Sequence, residues 1–189
     1  MENIPVSAGR TSFNLLKEDL FFAALDIQPG MTLLDLGCGV GNYAIAAAPR
    51  VGPGGIIHAF DVWEEGIEIL ETRASMANIG NISAGLADLG KELPLDDGIV
   101  DLCLLATFLH IMINENTVDT LVKEVLRVLK PEGTVAIVEF KKIEAPPGPP
   151  LSMRHSPAEL EQILAPYKLR VQDIVDVGPY NYLALYGHD

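Results

Sequence analysis

Short apolar blocks separated by polar, glycine and proline positions run the length of this chain, and their spacing distinguishes helices from strands. From Thr11 to Leu25 the apolar residues recur at helical spacing, with Phe13, Leu16, Leu20 and Ala24 on one side, until Pro29-Gly30 breaks the pattern. Met31 to Leu36 then reads as a buried strand, and a helix from about Asn42 ends near Val51-Gly52-Pro53. Ile56 to Phe60 is a strand closing on Asp61, Glu64 to Ala77 a helix, and Ile82 to Leu86 a third strand. Val100 to Leu105 is the most apolar strand. Thr117 to Leu129 is an amphipathic helix that stops at Lys130-Pro131-Glu132-Gly133, and Thr134 to Glu139 is a fifth strand. Pro146 to Pro150 is a stiff loop, Ser156-Pro157-Ala158-Glu159 a capping box, and Leu169 to Val177 with Tyr182 to Tyr186 a closing antiparallel hairpin at the sheet edge.

Strands that alternate with helices imply a parallel sheet with right-handed crossovers. The expected fold is therefore α/β, a Rossmann-like, doubly wound, mostly parallel seven-stranded sheet with an antiparallel C-terminal hairpin. No internal repeat or linker divides it. Residues 1–189 read as one domain: an N-terminal helix or lid segment (1–30), a core (31–140), and a proline-rich loop, helix and hairpin (141–189).

Within that frame, Asp35-Leu36-Gly37-Cys38-Gly39-Val40-Gly41-Asn42 stands between a strand and a helix start. Glycine lets such a loop turn sharply and bring its backbone against a ligand, and the free N–H groups of the next helix point to the same place. The dinucleotide fingerprint needs a third glycine where this chain has Asn42, and a phosphate loop needs a lysine that is absent. D-x-G-x-G-x-G instead resembles the first motif of the Rossmann-like, S-adenosylmethionine-dependent methyltransferases, in the form found in the branch that methylates small molecules. Val125-Leu126-Arg127-Val128-Leu129-Lys130-Pro131-Glu132-Gly133 is similar to that family's approach to strand five, with Glu132 in place of a usual glycine. The small members related to the ubiquinone/menaquinone-biosynthesis methyltransferases look most alike.

The resemblance implies S-adenosyl-L-methionine as cofactor, S-adenosyl-L-homocysteine as product and a small-molecule acceptor. Asp35, Gly37, Cys38, Gly39 and Asn42 would cradle the cofactor. Asp61, at the end of the second strand, suits the two ribose hydroxyls, with a capping or solvated Asp as the plainer alternative. Val62 and Trp63 follow it, and Trp63 packs either on the adenine or in the core. Asp88 and Leu89 match the adenine side, or Asp88 simply forms a turn. Ala106 and Thr107 offer backbone carbonyls to an ammonium group. On the substrate side Phe108 would wall the pocket, and Phe13 with Ser7 to Ser12 would form a lid. Arg154 and His155 are candidates to bind an anionic acceptor. His110 is the first candidate general base, should the acceptor carry a proton at its attacking atom.

Composition narrows the partners. The chain carries 13 basic and 26 acidic residues, a formal net charge of −13, which repels nucleic acid and anionic lipid. Cys38 and Cys103 suggest neither a disulfide framework nor a metal site, and they fit a reducing cytoplasm. The start Met1 to Pro5 lacks the features of a signal peptide, and no apolar run approaches the ~18 residues of a membrane span. No oligomeric state follows from the sequence. Two other readings stay open: a catalytically silent adenosyl-binding module, and a nicotinamide-dependent oxidoreductase.

Overall fold

Leu33, Leu34 and Leu36 are almost wholly buried and place β1 (Thr32–Leu36) in the interior of a seven-stranded sheet. The computed structural model describes residues 9, 11–144 and 146–188. The Met1 to Pro5 start, and Ser7, Ala8 and Arg10 of the expected lid, lie outside them. The other strands are β2 (Ile56–Asp61), β3 (Ile82–Leu86), β4 (Val100–Ala106), β5 (Leu129–Phe140), β6 (Leu169–Asp176) and β7 (Asn181–His188). Their order is β3-β2-β1-β4-β5-β7-β6, and only β7 runs antiparallel to its neighbours.

The helices are α1 (Glu18–Leu25), α2 (Asn42–Val51), α3 (Glu64–Met76), α4 (Leu109–Asn114), α5 (Val118–Val128) and α6 (Pro157–Leu164). Two apolar clusters cover the two faces of the sheet. Leu33, Leu102 and Leu104 pack with residues of α1, α2 and α3, whereas Leu34, Cys103 and Leu105 pack with residues of α4, α5 and α6. This is the two-residue alternation of strands buried on both sides. It puts the side chain of Asp35 on the same face as Leu33, toward α2.

Two expectations need correction. The Thr11–Leu25 pattern is not one helix: a 3-10 turn spans Phe13–Leu15, and α1 begins only at Glu18. The break resets the helical phase, so Phe21, Phe22 and Leu25 are buried while Leu20 is 44% exposed. The hairpin sits at the sheet edge as expected, with β7 between β5 and β6 and β6 outermost. Second, Lys130 to Gly133 belong to β5, where these four residues stand against the single Asp101 of β4 between Val100↔Leu129 and Leu102↔Thr134. The capping box is present as expected: Glu159 N–H donates to Ser156 Oγ, and Ser156 N–H to Glu159.

Candidate functional site

In an open α/β sheet the ligand crevice lies beyond the carboxyl ends of the strands, where strand order reverses. Here that place lies between β1 and β4, and its floor is the turn from β1 into α2. Gly37, Gly39 and Gly41 all have positive φ (71°, 52° and 74°). The N–H groups of Gly37 and Cys38 donate to the Phe60 carbonyl at 2.8 and 3.2 Å, stitching the turn to β2. At Gly41 packing opposes a side chain too, since a Cβ would lie 2.1 Å from Leu70 Cδ1 and force that side chain to shift. A Cβ on Gly39 would meet nothing within 4 Å, so the loop there faces open space.

Asp61 ties this loop to β2. One carboxylate oxygen accepts from the Gly39 N–H at 2.8 Å, the other from the Trp63 N–H at 2.9 Å. From the far side the Arg73 guanidinium donates to the Val40 carbonyl. Below the loop, Asp35 is 1% exposed and neither of its side-chain oxygens has a hydrogen-bond partner. Burial, then the charge of Asp61, push its carboxyl up to about 7 against the opposing Ala44 amide. The same burial and the same two carboxylates push the Cys38 thiol upward, so it stays protonated. Both cysteines are free.

Gly37, Cys38, Gly39, Asn42, Ala106 and Thr107 line one cavity of about 40 Å³, room for no more than a few waters. Ser12 and Tyr43 line it too, with Gly9, Thr11 and Val40, and sequence reasoning missed the contact of Ser12 with Tyr43. Ser12 Oγ lies 2.7 Å from Tyr43 Oη and 3.0 Å from Thr107 Oγ1, joining three segments in one buried hydroxyl cluster. The Phe13 ring stands edge-on to Tyr43 at 5.1 Å. Ser12 and Phe13, at the described end of the expected lid segment, thus sit against the cavity wall. Thr107 is held at φ 52°, a strained value for a β-branched residue and of the kind that clusters at functional sites.

The remaining candidates scatter. Val62 is 54% exposed beyond Asp61. Trp63 is half-buried and lies over its own helix start, where a Cβ on Gly66 would come within 2.5 Å of the indole. Phe108 packs on Gly37. Asp88 is exposed, accepts from the Gly90 N–H and pairs with Lys91 at 2.8 Å, which holds its carboxyl below the usual range. Leu89 is core. The His155 carbonyl accepts from Tyr182 Oη at 2.8 Å, and its Nδ1 is buried without a partner.

One expectation fails on geometry. Arg154 is 4% exposed, and its guanidinium donates to the carbonyls of Pro149, Ile143, Pro147 and Lys141. It clamps the proline-rich loop rather than presenting charge to an anionic acceptor. His110 is not on the cavity wall; its imidazole turns to Glu139, with Nδ1 at 2.9 and 3.0 Å from the carboxylate oxygens. Glu139 was not foreseen, although a charged residue inside the apolar run Val135 to Phe140 was a visible signal. Among the described residues, no group of three or more potential ligands could hold a metal ion.

A glycine turn over an orphaned carboxylate suits a ligand that carries hydroxyls and a cation. Comparison with known proteins makes that general fit specific. The profile of the family described as a methyltransferase domain matches residues 27–176, well over half of the chain. The chain belongs to this methyltransferase-domain family. A demethylmenaquinone methyltransferase of Lactobacillus johnsonii is 31% identical over 119 residues, covering 63% of this chain and 48% of that protein. A nocamycin O-methyltransferase of Saccharothrix syringae is 30% identical over 152 residues, covering 80% of this chain and 48% of that one. The methyltransferase domain here thus spans about half the length of the curated relatives it matches. A solved structure of a SAM-dependent methyltransferase from Aquifex aeolicus superposes with a TM-score of 0.84 at 27% identity, over 97% of this chain and 93% of its own. Membership and this structural relative give the methyltransferase domain S-adenosylmethionine as its cofactor.

Proposed function

We propose that the chain transfers a methyl group from S-adenosylmethionine to a small-molecule acceptor, with the donor held at the carboxyl ends of β1, β2 and β4. The unpartnered Asp35 carboxylate under the glycine loop carries the reading, because a buried carboxylate without a partner is costly and a cationic ligand group would compensate it. In this reading Asp61 accepts from the ribose hydroxyls with the lone pairs its two backbone bonds leave free. Gly37, Cys38, Gly39 and Asn42 give the donor backbone contact, Val62, Trp63, Asp88 and Leu89 bound its adenine side, and Ala106 and Thr107 its ammonium side. When bound, the cofactor supplies a methyl group on a sulfonium, which is already activated for displacement. What the protein adds is position and the exclusion of water. Ser12, Phe13 and Phe108 do this as a strap and walls, and the strap opens to admit ligand because the closed cavity is far too small for one.

The relatives named for demethylmenaquinone and for nocamycin support a small organic acceptor. The net charge of −13 supports an acceptor other than nucleic acid. No helix among the described residues is long and apolar enough to cross a membrane. Two free cysteines support a reducing, cytoplasmic setting, and the single sheet supports reading 1–189 as one domain.

A thermal-shift series with S-adenosylhomocysteine, S-adenosylmethionine, NAD and ATP tests this, with Asp61→Ala as control. A ligand at ~100 times its dissociation constant adds about 2.7 kcal/mol to the folded state. The expected result is a shift with the two adenosyl-sulfur ligands only, lost in Asp61→Ala. A larger shift with NAD would overturn the reading.

A further inference from the structure

One face of α3 is matched residue by residue to the back of the glycine turn. Gly66, Leu70 and Arg73 are spaced four and three positions apart, so they share a side of the helix. A Cβ on Gly66 would lie 3.1 Å from the Gly39 carbonyl oxygen, so the bare backbone there lets the turn seat against the helix. Glycine weakens a helix, and this close approach accounts for one in the first turn of α3. Leu70 fills the space that a Cβ on Gly41 would need. Arg73 Nη1 donates to the carbonyl of Val40, the residue between those two glycines.

That last bond is the unusual one. Arg50 and Arg127 pair with carboxylates, whereas Arg73, half-buried, directs its charge at a main-chain oxygen. Docking of the helix does not need it, because Ile67, Leu70 and Ala74 already fix α3 in the core. The peptide it grips joins Val40 to Gly41, whose N–H donates to the Cys38 carbonyl at 2.9 Å. Gly41 sits at φ 74°, and glycine takes the opposite sign about as readily, so this peptide can turn over unless its ends are held. Turned over, it would swing the Val40 carbonyl away from α3, and Val40 lines the cavity. The N–H end is held only by a residue of the same turn. The carbonyl end is held from outside the turn, by the stronger, charge-assisted bond.

We propose that Arg73 is a positioning residue for the donor: by holding the Val40 carbonyl against α3, it keeps the Val40–Gly41 peptide in the single orientation that S-adenosylmethionine binds. The guanidinium stands behind the turn and acts only through it. Without it the free turn samples both orientations, and the ligand selects one. The apparent affinity then falls by the fraction of the time that the competent orientation is populated. This rests on the methyltransferase reading above.

The test uses the full chain as wild type, Arg73→Met and Arg73→Lys, with S-adenosylhomocysteine as the probe. Calorimetry is expected to show binding about tenfold weaker in Arg73→Met. Arg73→Lys keeps a charged donor and is expected to bind within about threefold of wild type. NMR hydrogen exchange reads the turn itself. Without ligand the Gly41 N–H is expected to exchange faster in Arg73→Met than in wild type, and to slow to the wild-type rate when S-adenosylhomocysteine saturates the variant. A residue that merely props up the fold would lower the urea midpoint and leave the affinity alone. Equal affinity in wild type and Arg73→Met therefore overturns the proposal, and so does a Gly41 N–H that exchanges equally in both. Arg73→Lys binding as weakly as Arg73→Met overturns the hydrogen bond as the cause. Wild type that fails to bind S-adenosylhomocysteine sinks the methyltransferase reading itself, an outcome distinct from all of these. If Arg73→Met does not fold, Arg73→Gln, neutral and shorter, takes its place in both measurements.

Discussion

The two ends of the sheet differ in the opposite sense from their sizes. At the amino end a groove of about 450 Å³ runs past Ala48, Gly52, Gly80 and Asn81, more than ten times the roughly 40 Å³ of the carboxyl-end cavity. Yet the large groove is chemically quiet. Asn81 Nδ2 donates to the carbonyls of Ala48 and Gly52, and nearby Asp101 accepts from the Thr32 N–H and from Lys130. The small cavity has an orphaned carboxylate beside it, three positive-φ glycines in its turn and a strained threonine in its wall. Unsatisfied polarity and stored strain mark the site, and volume does not.

Substitutions can break that contrast, and the largest effect is expected at the glycine turn. Gly41→Ala forces a Cβ to 2.1 Å from Leu70 at φ 74°, a clash and a strained backbone together worth about 3–5 kcal/mol of stability. Urea unfolding would measure it. Asp35 comes next. Burial pushes its carboxyl up to about 7 in the fold from an ordinary 3.8, so the folded chain binds the proton more tightly than the unfolded one. Stability therefore falls as pH rises across that window and is fully lowered above it. Three pH units correspond to about 4 kcal/mol. Asp35→Asn is expected to lose this slope, and so to unfold at higher urea than wild type at pH 8 but not at pH 4. It is also expected to weaken S-adenosylhomocysteine binding at pH 8.

Ser12→Ala, which removes the link to Tyr43 and Thr107, is expected to cost about 1 kcal/mol. Stopped-flow fluorescence from Trp63 should show faster ligand entry as the strap loosens. At the quiet end, Gly80→Ala meets nothing within 4 Å and is expected to change stability by no more than about 0.5 kcal/mol. A large loss there would erase the contrast.

Much of this was legible because it is local. Ile82 to Leu86 is bounded by turn residues on one side and by Ala87-Asp88 on the other, and it is a strand over those five residues. The capping box at Ser156 and Glu159 is written in four consecutive positions. Leu20 misled because Lys17 leaves the helix, and periodicity counted across that break puts the wrong face inward. Arg154 was read as free charge, yet most of its identified partners are carbonyls of a loop preceding it, which a sequence does not print. His110 and Glu139 are 29 residues apart, and only the pairing of β4 with β5 brings their segments together. The hydroxyl cluster spans 31 and 95 residues for the same reason.

The insertion of β7 between β5 and β6 has a bearing on how the protein is made. The last sheet strand in chain order is an interior one, pairing Glu139 with Tyr182 and Phe140 with Asn181. A ribosome that has released everything through β6 has thus delivered a sheet with a gap in it, β5 open along an apolar edge. Until the final strand leaves the exit tunnel, the nascent chain offers that edge to any passing strand, and a chaperone that shields β5 is the protection its topology asks for.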